Sequence, residues 1–206
     1  MFELNALYKN KYNDATVRVV GVFQRASLTP SLVVKDKNGG VTYHEEIPFL
    51  REFVYVGTVR PSWDTYFTQM ARLVATRATC DRRHVGAVVA RDHRVLATGY
   101  NGSPPGLPHC DQIGHDLVTL ADGSVNCVRT THAEANAIFQ AAKIGVSLDG
   151  ATLYTNTYPC WNCAKAILGA GIVKVCVDAD YNNDPRVQTA FVAKEIEVVR
   201  YHEEEF

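Results

Sequence analysis

The sequence has no run of about 18 apolar residues, the length a helix needs to cross a bilayer. Its first residues, Met1-Phe2-Glu3-Leu4-Asn5, have neither the basic start nor the apolar stretch of a secretory signal, so a cytoplasmic protein with no membrane partner is expected. Charge of one sign is also missing. With 21 Lys and Arg against 22 Asp and Glu the formal net charge is -1, which removes the global basic field that draws proteins onto nucleic acid. Small-molecule partners are favoured. The six cysteines, in a chain without an export signal, are expected to stay reduced, which turns their reading from disulfides toward metal ligation or burial. Internal repeats and low-complexity tracts are absent as well. What is present, 206 residues that are 47% hydrophobic and 21% charged, suits a soluble globular enzyme with a substantial core.

Residues 1–60 have the texture of a small β-rich unit, with strands expected over 16–23, 31–34 and 53–59. Asn38-Gly39-Gly40 ahead of Val41-Thr42-Tyr43 signals a hairpin turn, because those residues adopt positive φ at little cost. The role of this unit is not legible; a sheet-edge or oligomer contact and a nucleotide-sensing role are both open. Arg60-Pro61-Ser62 marks a boundary, and 61–206 reads as the main domain. Trp63, Phe67, Met70, Leu73 and Val74 recur at helical spacing, which predicts a helix from Ser62 to about Thr79. Strands follow over 85–90 and 94–99, joined by a turn at 91–93. From 101 to 130 the chain is irregular, and a loop of that length in a compact domain is functional or needs pinning. Helices over 133–143, 160–168 and 185–192 then alternate with strands over 151–156, 173–177 and 196–199, an α/β layer pattern. The end, 202–206, reads as a solvated tail.

The chemistry concentrates in two short stretches. His132, Cys160 and Cys163 are three good zinc ligands, and a catalytic zinc takes three protein ligands and leaves a fourth position for water. Cys160 and Cys163, with Pro159 ahead of them, fall at the start of a helix, where amide N-H groups favour thiolate. Glu134 supplies a carboxylate able to take the proton of a metal-activated water and return it to a leaving group. Each member has a plain structural reading: Thr131-x-x-Glu134 also fits a capping box, and a lone C-x-x-C also fits a redox pair or two buried thiols. The joint pattern of His-x-Glu and then Pro-Cys-x-x-Cys, separated by a helix and a strand, is that of zinc nucleobase deaminases. Four further ligands, Cys80, Cys110, His115 and Cys127, flank the irregular region and suit a closed structural zinc that pins it. His84 and His109 are rival ligands there, and separately buried thiols are the alternative. Cys176, on an apolar strand, reads as core.

His132-Ala133-Glu134-Ala135-Asn136-Ala137-Ile138 together with Pro159-Cys160-Trp161-Asn162-Cys163-Ala164-Lys165 resembles the cytidine deaminase superfamily. Gly99-Tyr100-Asn101-Gly102-Ser103-Pro104-Pro105-Gly106 narrows the resemblance to the deoxycytidylate (dCMP) deaminase family. It covers about residues 62–200 and leaves the first 60 unmatched. The resemblance implies a three-layer α/β/α fold with a mixed sheet, a likeness to homo-oligomers, and hydrolysis of dCMP to dUMP and ammonia for dTTP precursor supply. Zinc-bound hydroxide would attack C4 while Glu134 moves the protons. It further implies that Asn101 and the Ala133 carbonyl contact substrate and that Lys143 contacts its phosphate, the alternative for Lys143 being a solvated helix end. By the same resemblance Gly99, Tyr100, Asn101, Gly102 and Ser103 hold a nucleotide effector, dCTP as activator and dTTP as inhibitor. A deaminase of another or modified cytosine nucleotide, or of a tRNA base, is the nearest alternative, and a non-catalytic zinc-stabilised nucleotide-binding protein is the most distant.

Overall fold

The structure is a computed structural model of the chain and describes residues 6–10, 15–23, 31–45, 53–58, 60–119, 123, 125–178 and 184–201. The expected tail over 202–206 lies outside the described residues, as does residue 59 of the third expected strand. The chain divides into two compact units, Met1–Ser62 and Trp63–His202.

In the first unit, strands β1 (Ala6–Asn10), β2 (Thr16–Phe23), β3 (Ser31–Asp36), β4 (Val41–Glu45) and β5 (Phe53–Thr58) form an antiparallel sheet in the order β4-β3-β2-β1-β5. Tyr8, Val17, Val19 and Val34 are buried in it. The β3–β4 turn forms where Asn38-Gly39-Gly40 signals it. Gly39 takes φ 83°, and the Asp36 carboxylate accepts from the backbone N-H groups of Asn38 and Gly40, both at 2.8 Å. The strand β1 has no strong apolar alternation of its own; pairing on both sides, with β2 and β5, is what makes it a strand.

In the second unit, β6 (Gly86–Arg91), β7 (Arg94–Tyr100), β10 (Thr152–Thr155), β11 (Lys174–Val177) and β12 (Glu197–Arg200) form a mixed sheet in the order β12-β11-β10-β6-β7. The hairpin β6–β7 turns at Asp92 and His93, both with positive φ. Strands β10, β11 and β12 run parallel, so each connection must cross over, and α4 (Trp161–Gly169) and α5 (Pro185–Ala193) are the crossovers. Helix α1 (Trp63–Ala75) covers one face through Phe67 and Ala71 against Val88, Ala90, Tyr154 and Cys176. Helices α3 (Ala133–Ile144), α4 and α5 cover the other, with Ala137, Ile167 and Phe191 among the residues packed on Ala87, Val89, Leu153 and Val175. The unit is thus the three-layer α/β/α arrangement expected.

Two details differ from the sequence reading. Helix α1 stops at Ala75 rather than near Thr79, because Thr76, Arg77 and Ala78 tighten into i→i+3 bonds and the Thr79 N-H then leaves for the Asn101 carbonyl at 3.2 Å. The irregular stretch contains a short helix, α2 (Cys110–Ile113), and a hairpin of β8 (Leu117–Thr119) with β9 (Val125–Cys127).

Two glycines set how close the helices come. A Cβ on Gly86 would lie 2.1 Å from the Ala71 carbonyl oxygen, and one on Gly99 would lie 2.3 Å from both the Ala133 oxygen and the Ala137 nitrogen. Since Gly86 pairs with Tyr100 and Gly99 with Ala87, the two positions face opposite sides of the sheet. Backbone of α1 rests on one and backbone of α3 on the other.

Candidate active site

Helix α3 begins after His132 and helix α4 after Cys160. Both residues are N-caps with extended backbone (ψ 154° and 169°), and neither makes a side-chain cap bond, so both side chains are free to turn toward each other. The capping box that Thr131 and Glu134 could have formed is not made; the cap is His132, and Glu134 instead accepts from the Cys163 thiol, Sγ to Oε2 3.6 Å. His132 Nδ1 stands 3.4 Å from Cys160 Sγ and 3.5 Å from Cys163 Sγ. On a tetrahedral zinc with ordinary bond lengths, a nitrogen and a sulfur ligand stand about 3.6 Å apart. The donor set of His132, Cys160 and Cys163 and its spacing therefore fit zinc.

Electrostatics in this cluster agree with a metal-binding role. Hydrogen bonding from Cys163, supported by His132, pulls the Cys160 thiol down to about 3 despite burial. The bond to Cys160 raises His132, and burial raises Glu134. Cys163 is pushed up, first by its bond to Cys160 and then by burial. His132 is exposed, Cys160 half-buried, and Cys163 and Glu134 are buried, Glu134 at 2%. The cluster opens to solvent at the imidazole and has its carboxylate at the closed end.

A second cluster lies in the irregular region. Ligand atoms of Cys80, Cys110 and His115 lie within 4.8 Å of one another, and Cys127 Sγ is 3.8 Å from Cys110 Sγ, the separation of two sulfurs on one tetrahedral zinc. His115 Nδ1 is 3.9 Å from Cys80 Sγ. Burial lifts Cys110 to about 12; it lifts Cys127 too, but the backbone N-H groups around it outweigh that and leave its thiol at about 7. Three thiols and an imidazole fit a closed zinc site. Of the rival histidines, His109 bonds Thr79 Oγ1 at 3.0 Å, and His84 is exposed.

The remaining site candidates separate. Asn101 is buried, with Oδ1 accepting from the Val85 N-H at 2.7 Å and Nδ2 donating to the Arg83 carbonyl at 2.8 Å. Gly102 exchanges both backbone bonds with Thr131, beside His132, at 3.2 and 2.9 Å. The Tyr100 carbonyl accepts from Asn136, and Ser103 Oγ is buried with no hydrogen-bond partner. Ala133 is buried with its carbonyl over Gly99. Lys143 is exposed in the last turn of α3, roughly 14 Å along the helix axis from Glu134. The structure does not bring it together with the metal triad. Cys176 is core, 1% exposed. Sequence reasoning missed Asn156, whose amide accepts from the Gly86 N-H and donates to the His84 carbonyl, both at 3.0 Å. It missed Asp81 too, whose carboxylate is 3.0 Å from His115 Nε2; adjacency to Cys80 was its only signal.

A family model described as the cytidine and deoxycytidylate deaminase zinc-binding region matches residues 61–179, the segment that contains both clusters. The chain is 46% identical over 132 residues to ComE operon protein 2 of Bacillus subtilis, covering 64% of this chain and 67% of that protein. It is 37% identical over 145 residues to the deoxycytidylate deaminase of Schizosaccharomyces pombe, covering 69% of this chain but only 45% of the yeast enzyme. Among solved structures, the dCMP deaminase of cyanophage S-TIM5 in complex with dCMP and dUMP superposes with a TM-score of 0.58 at 30% identity, over 69% of this chain and 99% of the phage chain. With the His132, Cys160 and Cys163 cluster, the adjoining carboxylate and the three-layer fold, these matches establish that the chain belongs to the cytidine and deoxycytidylate deaminase family.

Proposed function

We propose that this chain is a hydrolytic deaminase that converts dCMP and water to dUMP and ammonia. The observation that carries the reading is Glu134, a carboxylate buried against Cys163 at the closed end of a three-ligand site whose open side is His132. A purely structural metal site has no use for such a group. The substrate is supported by the relatives named as deoxycytidylate deaminases and by the phage enzyme that binds dCMP and dUMP.

His132, Cys160 and Cys163 would hold one zinc, which when bound supplies the Lewis acidity that brings the pKa of a ligated water to about 7. Glu134, its affinity for protons raised by burial, takes a proton from the attacking water and delivers it to N3 of the cytosine. It then carries the second proton to the amine leaving C4, so that ammonia departs and the ring keeps the oxygen. The wall formed by Asn101 and Gly102, tied to Thr131, and the backbone at Ala133 would orient base and sugar; the nearness of Thr131 and Ala133 to His132 supports this.

A second zinc at Cys80, Cys110, His115 and Cys127 would pin this wall. Of the five residues expected to hold an effector, dCTP as activator or dTTP as inhibitor, Gly99 packs against α3 and Asn101 and Gly102 belong to this wall, so Tyr100 and Ser103 would carry the contact; the unpartnered Ser103 hydroxyl supports that part. Residues 61–206 would form the deaminase domain, and 1–60 an extension with a role in a homo-oligomer. Among the described residues no helix is long and apolar enough to cross a membrane, and a cytoplasmic site of action accords with that.

Glu134→Gln tests the mechanism. Zinc content should stay at the wild-type value while turnover of dCMP falls about 10²- to 10⁴-fold. Full activity in that variant sinks the reading. Ammonia release from dCMP, 5-methyl-dCMP, dCTP, cytidine and tRNA, with and without dCTP and dTTP, settles base, phosphate number and regulation together.

A further inference from the structure

The second cluster contains one group that neither its ligand chemistry nor the deaminase reaction accounts for. Asp81 follows the ligand Cys80 directly, and its Oδ1 lies 3.0 Å from His115 Nε2, while the other ring nitrogen of His115, Nδ1, faces Cys80 Sγ at 3.9 Å. A neutral imidazole has one N-H and one lone pair, and whichever nitrogen donates to a carboxylate leaves the lone pair on the other. A carboxylate on Nε2 therefore presents Nδ1 to the thiols as an acceptor, the form a metal requires. We infer that Asp81 is a positioning residue of a second metal centre made by Cys80, Cys110, His115 and Cys127, setting the tautomer and ring plane of His115.

The inference rests on the reading of that cluster as a zinc site. Its geometry gives the carboxylate something to do: His115 is the one nitrogen among three thiols, it comes from the bend between α2 and β8, and α2 is a single turn of helix that cannot by itself hold a ring in place. Three backbone bonds hold the loops around it: Asp111 to Thr79, Gly114 to Cys110, and Val128 to Asp116. None of them fixes the rotation of the imidazole. The Asp81 side chain is 77% exposed and that of His115 21%, so water competes for the bond and a modest effect is expected.

The test uses the full chain loaded with zinc. Release into excess chelator should show two phases, and Cys110→Ser should remove the one that belongs to this centre. Cobalt(II) in place of zinc separates the two phases as well, because the three thiolates of this centre give a stronger charge-transfer band than the two, Cys160 and Cys163, of the other site, so the assignment does not depend on how Cys110→Ser folds. Asp81→Asn should weaken zinc binding in that phase about tenfold, leave the other phase untouched and still reach two equivalents at saturating zinc. Asp81→Glu should recover most of the loss, and the metal-free melting temperature should be the same in all three proteins. Asp81→Asn with wild-type affinity in that phase, or with both phases shifted alike, overturns the inference. A wild-type chain that holds only one equivalent of zinc removes the second centre itself, and the role of Asp81 with it.

Discussion

Asn101 is the residue whose part in the molecule changed most between sequence and structure. The resemblance implies a contact with substrate, and the structure shows its amide spanning two strand ends: it accepts from the Val85 N-H and donates to the Arg83 carbonyl. Val85 is buried, so removing the amide leaves an N-H without water or partner. Asn101→Ala should cost about 2–3 kcal/mol, read as a fall in Tm of roughly 5–10 °C. If Asn101 also touches substrate through the hydrogen it has left over, KM for dCMP rises in the same variant at temperatures where it remains folded. An unchanged KM there would confine Asn101 to the fold. No pattern in the sequence distinguishes these two uses of one amide, because its partners lie on a segment that comes near only after β6 and β7 pair.

At the scale of elements, the site depends on how closely α3 lies on the sheet. Ala133, Ala137 and Ala141 give the helix a narrow buried face, and Gly99 removes the last obstacle beneath its first turn. Gly86 does the same for α1 on the opposite face. Adding one methyl at either place should overpack the contact by about 1–3 kcal/mol, measurable by urea unfolding. The consequences for activity should differ. Gly99→Ala displaces the turn that carries His132 and Glu134, so kcat should fall beyond what the stability loss explains, whereas Gly86→Ala shifts only α1 and should leave kcat near wild type. Equal kcat in both variants would mean that the N-terminal turn of α3 tolerates displacement. The sequence marks Gly99 as part of a Gly-Tyr-Asn-Gly loop; that it serves packing is visible only with α3 in place.

At the scale of the whole molecule, the described core of the second unit draws on residues 67–199 alone, with Phe67 and Ala71 on one face and the α3, α4 and α5 residues on the other. The first unit buries its own Tyr8, Val17, Val19 and Val34. A chain beginning at residue 61 should accordingly unfold in one cooperative transition and keep both its zinc and its turnover of dCMP. Sedimentation of the two lengths then shows whether 1–60 builds an assembly. A shortened chain that is insoluble or free of zinc would show that the core of the second unit is incomplete without the first.

The grouping of His132, Cys160 and Cys163 with Glu134 nearby, the start of α4 at Cys160 and the alternation of helices with strands were all legible in the sequence. Each is local: it depends on residue type and on spacing within one turn or one strand, and the physics of caps, thiolates and periodicity acts at that range. The exclusion of His84 and His109 from the second cluster, the contact of Asp81 with His115, the clamp of Asn101 and Asn156 on 83–86, and the separation of Lys143 from His132, Cys160 and Cys163 were decided by tertiary structure. They depend on which segments the β6–β7 hairpin and the parallel crossovers carry past one another. Spacing along a chain holds no record of that until the sheet is assembled.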